Sequence, residues 1–163
     1  MPTKLKDVRT ILVQDAREEA ELDGSASIEA EHVLLALARQ QAGPIAQLLT
    51  EAGLTRDAIR AALDREWEQS LSVAGVTVTV AELPKATPDR GRNPKFGESA
   101  KLVLKRAADR AKRFGANRMS AGHVLVGLLD TNFGRVPRAL ELAGVDRLAL
   151  YAQVLQILDA EKR

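Results

Sequence analysis

Two histidines occupy the same place in two similar stretches of this 163-residue chain. The first stretch reads EHVLLALARQ from Glu31, and the second reads GHVLVGLLDT from Gly122. Histidine can act as an acid or base near neutral pH and can bind metals. A neighbouring carboxylate could assist in proton transfer or serve as a second metal ligand. However, the chain has no cysteine, and no further ligand or paired-carboxylate pattern accompanies His32 and His123. The sequence therefore predicts no enzyme, no metal and no cofactor, and assigns both histidines a role in packing or capping.

The two stretches belong to a longer internal repeat. Placing His32 over His123 fixes an offset of 91 residues, which holds without a gap over most of the chain. The offset also aligns Leu34 with Leu125. We expect two copies of one unit. The predicted boundaries are residues 1–69 for the first copy, 70–95 for a linker and 96–163 for the second copy.

Apolar residues recur at three- and four-residue steps in each copy, as in Val8, Leu12 and Ala16. This spacing places them on one face of a helix. Glycines and N-capping residues then divide each copy into four helices. The predicted fold is all-α, with two tandem four-helix repeats related by a pseudo-twofold axis and joined by a long linker. After a first helix that ends near residue 23, the expected helices are 29–41, 44–52, 55–69, 98–114, 120–130, 136–143 and 146–160.

The composition agrees with packed helices. Hydrophobic residues make up 45% of the chain but aromatic residues only 3%, so the core must consist mainly of Leu, Val, Ile and Ala. The longest apolar run, residues 33–38, is too short to span a bilayer, and the first residues do not resemble a signal peptide. We expect a soluble, cytoplasmic protein.

The charge is divided unevenly between the halves. Residues 1–84 contain 8 Lys and Arg against 14 Asp and Glu, whereas residues 85–163 contain 16 against 8. A basic half could bind nucleic acid through its second repeat. It could equally be a solvated helix face attracted to the acidic half, and few aromatic residues accompany the cations.

The predicted linker has two different parts. Residues 76–80, with the sequence VTVTV, alternate and could form an edge strand or add to a strand of a partner, but a lone strand has nothing to pair with. The following residues contain three prolines and several charges, as linkers do.

The doubled motif, EHVLLAL and GHVLVGL, together with the helix ends AGL and AGV, resembles the Clp repeat (Clp R) domain. This is the N-terminal domain of the Clp AAA+ unfoldases, and the similarity is greatest to the ClpC type. The resemblance implies a chaperone-related, non-catalytic module that binds substrates, adaptors or other peptides in proteolysis regulation. It would act for, or in competition with, a ClpC–ClpP protease system.

The sequence has no recognisable ATPase motif of such an unfoldase. No phosphate-binding G-x-x-x-x-G-K-[ST] motif occurs, and the stretch GRNPKFG lacks its Gly-Lys-Ser/Thr end. The chain is either an excised N-terminal domain or a free-standing Clp-repeat protein. The alternative function is that of a nucleic-acid-binding helical protein that uses the basic second repeat.

The resemblance also implies a phosphoarginine receptor at the start of the second helix of each copy, where the family typically has Gly-Thr-Glu-His. A carboxylate there can bind a guanidinium, and the helix start can attract a phosphoryl group. The first copy keeps Glu31 but has Ala30 at the threonine position, which predicts an impaired site. The second copy has Gly122 in place of the carboxylate, which predicts a lost site.

A second surface implied by the resemblance is a groove between the first helices of the two copies, where adaptors and cyclic-peptide antibiotics bind ClpC-type domains. Val13, Phe96, Lys101 and Leu104 match groove positions in residue type. Two positions depart from the family pattern, because Pro2 replaces an aromatic residue and Lys105 replaces an acidic one. Val13, Phe96 and Leu104 could alternatively be ordinary core residues.

Overall fold

The computed structural model describes residues 7–162, and over that range the chain forms eight helices and one pair of very short strands. In the first copy, α1 consists of three continuous segments, Val8–Thr10, a π-helical turn Ile11–Asp15, and Ala16–Leu22. The other helices of this copy are α2 (Ala30–Ala38), α3 (Pro44–Glu51) and α4 (Arg56–Val73).

The second copy repeats this order. Its helices are α5 (Glu98–Arg113), α6 (Ala121–Leu129), α7 (Arg135–Leu142) and α8 (Arg147–Glu161). The all-α fold with two four-helix repeats is therefore confirmed. Pro2, one of the two positions that depart from the family pattern, lies outside the described residues.

The helix ends follow the sequence signals. Thr55 Oγ1 accepts a hydrogen bond from the Ala58 N–H at 3.2 Å, and Asp146 Oδ1 accepts one from the Ala149 N–H at 3.0 Å. Gly24 and Gly115, which follow the first helix of each copy, have φ angles of 62° and 67°. These left-handed conformations are ones that glycine adopts without steric cost, so these caps were predictable from residue type alone.

The two copies share one hydrophobic core. At its centre lie α2 and α6, which are buried along most of their length and pack against each other. The last helix of each copy also packs against the other copy. Helix α4 contacts α7, and α8 contacts α3. This interlocking arrangement explains why α2 and α6 are apolar on nearly all sides, since neighbours from both copies surround them.

The connection between the copies differs from expectation. Helix α4 continues to Val73, and the edge-strand alternative for residues 76–80 is wrong. A 3₁₀ turn, Val80–Glu82, follows, and the Val80 N–H donates a hydrogen bond to Glu68 Oε1 at 2.6 Å. The Val76 N–H donates a hydrogen bond to the Leu71 carbonyl of α4 at 2.8 Å, so this segment begins by turning back on α4 and does not pair with a strand.

The strands form elsewhere, at a junction between the copies. β1 (Ser27–Ile28) pairs in parallel with β2 (Lys95–Phe96). The connection reaches β2 along α1, where the Asp89 N–H donates a hydrogen bond to the Glu21 carbonyl at 2.9 Å. The predicted boundaries at residues 69 and 95 stay predictions.

The described part of the chain has neither a membrane-spanning helix nor a cluster of metal-ligating side chains. Within residues 7–162, no helix is both long enough and apolar enough to cross a membrane. Over the same residues, no three His, Asp or Glu side chains are grouped so that they could hold a metal ion.

Candidate functional site

The predicted groove residues lie on α1, α5 and β2. Val13 of α1 and Leu104 of α5 occupy the same repeat position, and both are half-buried. Phe96 of β2 is also half-buried, and it packs with Leu104 against the core. Lys101 is exposed, and its Nζ lies 3.2 Å from Glu98 Oε1. Phe96 and Leu104 thus pack against the core on one side, and all three apolar residues leave part of their surface accessible.

The predicted phosphoarginine site lies at the first turn of α2, and groups of the second copy occupy it. The Glu31 side chain is only 12% exposed, and its Oε1 accepts a hydrogen bond from Arg135 Nη1 at 3.1 Å. The Ala30 N–H donates a hydrogen bond to Ser99 Oγ at 2.8 Å. The carboxylate and a helix-start N–H that would receive a ligand are therefore bonded within the chain.

Arg135 also bonds a second carboxylate, that of Glu66 on α4. Its Nε lies 3.0 Å from Glu66 Oε2, while Arg138 Nε donates a hydrogen bond to Glu66 Oε1 at 2.9 Å. Glu66 is 2% exposed. Burial opposes its ionisation, but hydrogen bonds from Ser70, Arg138 and Arg135 outweigh burial and hold the pKa of Glu66 below its usual value. We call Glu31, Glu66, Arg135 and Arg138 the inter-repeat clasp.

In the second copy, apolar side chains fill the place of the missing carboxylate. A Cβ atom added to Gly122 would lie 2.8 Å from Leu158 Cδ2 and 3.5 Å from Ile45 Cδ1. A glutamate at this position would therefore displace core side chains, which explains the glycine. A cavity of about 640 Å³ lies nearby, and Ile45, Val8 and Met119 contribute to its walls.

Both histidines cap helices. His32 Nδ1 accepts a hydrogen bond from the Glu29 N–H at 2.9 Å, and His123 Nδ1 accepts one from the Ser120 N–H at 2.9 Å. Their neighbours differ, because His32 Nε2 lies 2.8 Å from Asp23 whereas His123 makes an edge-on contact with a phenylalanine ring. The predicted packing or capping role is confirmed.

The sequence did not reveal the partners of Glu31 and Ala30. Arg135 and Ser99 lie 104 and 69 residues away from them, respectively, so no local spacing could indicate the pairs. The repeat alignment does contain a signal, since Arg135 aligns with Pro44 and Ser99 aligns with Val8. In both pairs, a polar residue of the second copy replaces an apolar residue of the first and makes a contact that the first copy lacks.

These features define a helical double-repeat domain in which the two copies complete each other's core. The chain belongs to the Clp repeat (R) N-terminal domain family, whose model matches residues 6–89 and 95–163.

Similar proteins include ClpC/MecB of Bacillus subtilis, described as a negative regulator of genetic competence, and the chaperone protein ClpB of Oceanobacillus iheyensis. Each is 29% identical over 147 residues, which is 90% of this chain and 16% of the relative. This chain thus spans about one sixth of the length of these relatives.

Two solved structures support the fold. The N-terminal domain of the Arabidopsis thaliana chaperone ClpD has a TM-score of 0.66 and 22% identity, with 92% of this chain and 93% of that chain covered. The Hsp104 N-terminal domain of Candida albicans has a TM-score of 0.66 and 15% identity, with 94% and 89% covered.

Proposed function

We propose that this chain is a non-catalytic module that binds unfolded proteins or peptides at the groove formed by Val13, Phe96, Lys101 and Leu104. The observation that carries the proposal is the partial exposure of apolar residues on both first helices. Val13 and Leu104 are half-buried at the same position in the two copies. Accessible apolar surface beside a charged residue, here Lys101, is a feature of protein-binding sites.

We further propose that the module serves a ClpC-like unfoldase or competes with one for adaptors and substrates. Its family membership and its likeness to ClpC and ClpB support this role. Proteins, peptides and cyclic-peptide antibiotics are the proposed ligands, and a cytoplasmic location is part of the proposal. Phosphoarginine is a weaker candidate, because Glu31 is bonded to Arg135 at 3.1 Å.

The experiment measures fluorescence anisotropy of a labelled, permanently unfolded protein, reduced and carboxymethylated lactalbumin, with the whole chain. We expect saturable binding that weakens by about tenfold in Val13→Asp and Leu104→Asp, as for the loss of interface anchors. Val73→Asp is the control, because Val73 is 87% exposed and lies on α4, away from the groove. Circular dichroism confirms that each variant is folded.

A second arm adds the unlabelled chain in excess to a reconstituted ClpC–ClpP reaction that degrades the same substrate. We expect slower degradation with the unmodified chain and normal degradation with Val13→Asp. Binding that all groove variants retain would contradict the assigned groove. Absence of binding to the unfolded probe would contradict the proposed function.

A further inference from the structure

The internal repeat provides a control for what the fold itself requires. Both copies build the same four helices, so an exposed apolar side chain that only one copy carries is not needed to form them. Several such features concentrate in the second copy, around the loop between α6 and α7. We call Lys101, Leu102, Lys105, Phe133 and Arg135 the Phe133 corner.

Two apolar side chains of this corner are exposed without a structural need. Phe133 is 87% exposed, and its counterpart in the first copy is the small residue Ala42. Leu102 is 43% exposed, whereas its counterpart Ile11 is only 2% exposed. Large apolar side chains that are exposed close together are a feature of protein interaction sites.

Hydrogen bonds connect the elements that carry these residues. Arg106 Nη1 donates a hydrogen bond to Thr131 Oγ1 at 2.9 Å, which ties α5, one turn after Leu102, to the loop that carries Phe133. Ser99 at the start of α5 and Arg135 at the start of α7 both bond to the first turn of α2. The beginnings of three helices therefore meet beside Phe133.

The charges of the corner have also changed from those of the first copy. Lys101, Lys105 and Arg135 stand where the first copy has Thr10, Gln14 and Pro44. Lys105 is exposed and follows Leu102 by three residues, so the two side chains share a face of α5. Arg135 is shared between Glu31 and Glu66, and Lys101 is paired with Glu98, so Lys105 is the cation of this corner for which the described residues provide no ion pair.

We propose that the Phe133 corner is a docking surface for an acidic segment of a partner protein that inserts an apolar side chain next to Phe133 and Leu102. This inference rests on the proposed protein-binding function and names the class of partner. Cations around an exposed apolar pair match acidic residues around an apolar anchor. Nucleic acid fits less well, because a phosphate backbone engages several cations in a row, whereas Lys101 and Arg135 are already paired with Glu98 and Glu31.

The test uses the whole chain and a fluorescein-labelled peptide in which Asp and Glu surround a central Phe-Leu pair. We expect binding that weakens by about tenfold or more in Phe133→Ser, as for an aromatic hot spot. Lys105→Glu should also bind more weakly, and salt should reduce its binding less than it reduces that of the unmodified chain, because the attraction that salt screens has been removed. Val73→Ser is the matched control, since Val73 has the same 87% exposure as Phe133 but lies on α4. The control should bind like the unmodified chain.

Other probes separate the alternatives. Equal binding of a peptide with Lys in place of Asp and Glu would overturn the acidic partner, and stronger binding of duplex DNA would assign the corner to nucleic acid instead. Self-association that Phe133→Ser abolishes would assign it to a second copy of this chain. If the unfolded-protein probe binds at the groove while the acidic peptide does not bind, only the present inference fails. If neither binds, the proposed function fails as well.

Discussion

At the scale of single residues, the two copies have exchanged the charges of a buried ion pair. Glu19 of the first copy accepts a hydrogen bond from Arg39 at 3.4 Å. At the corresponding positions of the second copy, Arg110 donates a hydrogen bond to Asp130 at 3.1 Å. The acid and the base have changed places between the two helices, while the contact between those helices has been kept.

The reversal extends to the surrounding side chains. Arg60 Nη2 lies 2.6 Å from Glu19, and its counterpart Tyr151 instead accepts a hydrogen bond from Arg110 at 2.5 Å. A second arginine beside Arg110 would repel it, so a neutral acceptor replaces the cation. The exchange therefore requires coordinated changes at several positions.

We predict that Glu19→Gln strongly destabilises the fold. Glu19 is fully buried and bonds Arg39, Arg56 and Arg60, so its neutralisation leaves three cations without their central anion. Loss of one partner from a buried ion pair costs about 3 kcal/mol, which corresponds to a fall in melting temperature of about 6–12 °C.

Thermal unfolding followed by circular dichroism measures this change. Glu18→Gln is the control, because Glu18 pairs with Arg39 at 2.6 Å but its side chain is 59% exposed. We expect a change of less than about 1 kcal/mol for this exposed pair. Similar melting temperatures for the two variants would show that burial of Glu19 does not determine its contribution.

At the scale of helices and strands, the sequence predicted the elements with local signals. Thr55, Asp146 and the glycines after α1 and α5 act within a few residues, so their effect is visible without knowledge of the fold. β1 and β2 were missed because each has two residues and their pairing joins Ser27 to Lys95. Periodicity cannot identify a strand of that length.

The candidate site shows the same division between local and distant information. Glu31 and Ala30 were identified from a motif of four adjacent residues, as were the capping histidines. Arg135 and Ser99 were missed because they reach these residues from the other copy. Only the folded arrangement shows that a carboxylate suited to binding a guanidinium already holds one.

The crossing of α5 and α6 yields a prediction about an element contact. A Cβ atom added to Gly127 of α6 would lie 2.6 Å from the Val103 carbonyl oxygen of α5. Gly127→Ala should therefore destabilise the fold by about 1–3 kcal/mol through overpacking, although alanine favours helices by about 1 kcal/mol over glycine.

Urea denaturation measures the free energy of unfolding of this variant. Ala108→Gly is the control. Because Ala108 is exposed on α5, this substitution measures the difference in helix propensity between alanine and glycine without a change in packing. A Gly127→Ala variant more stable than the unmodified chain would mean that the two helices move apart at little cost.

At the scale of the whole molecule, ionised groups hold the copies together and make stability depend on pH. Burial and, to a smaller extent, the charge of Lys162 lower the pKa of His123 below its usual value. The unfolded chain then binds more protons than the folded chain as pH falls below about 6.5, so the free energy of unfolding decreases in that range.

A steeper loss should follow below about pH 4.5, where carboxylates of the unfolded chain take up protons. Burial tends to raise the pKa values of Glu19, Asp23 and Glu66, but hydrogen bonds and arginine charges outweigh burial and lower them. Their stabilisation is present at neutral pH and is lost as pH falls through these lowered values. Asp64 acts in the opposite direction, because burial raises its pKa.

Urea titrations over a series of pH values test this dependence. Glu66→Gln should be less stable at pH 7 and should show a flatter decline below about pH 4.5, since one proton-linked group has been removed. A decline of unchanged steepness in Glu66→Gln would mean that the inter-repeat clasp contributes nothing to acid unfolding.

The interlocking of the copies has a consequence for how the polypeptide can be divided. The connection at residues 74–94 bonds first to α4, through Val80, and then to the end of α1, through Asp89, while the contacts of α4 with α7 and of α3 with α8 join the copies elsewhere. The core therefore does not depend on the continuity of this segment. Two separately synthesised fragments, cut near Pro84, should recognise each other and reassemble, and a foreign sequence inserted at that point should leave both halves in place.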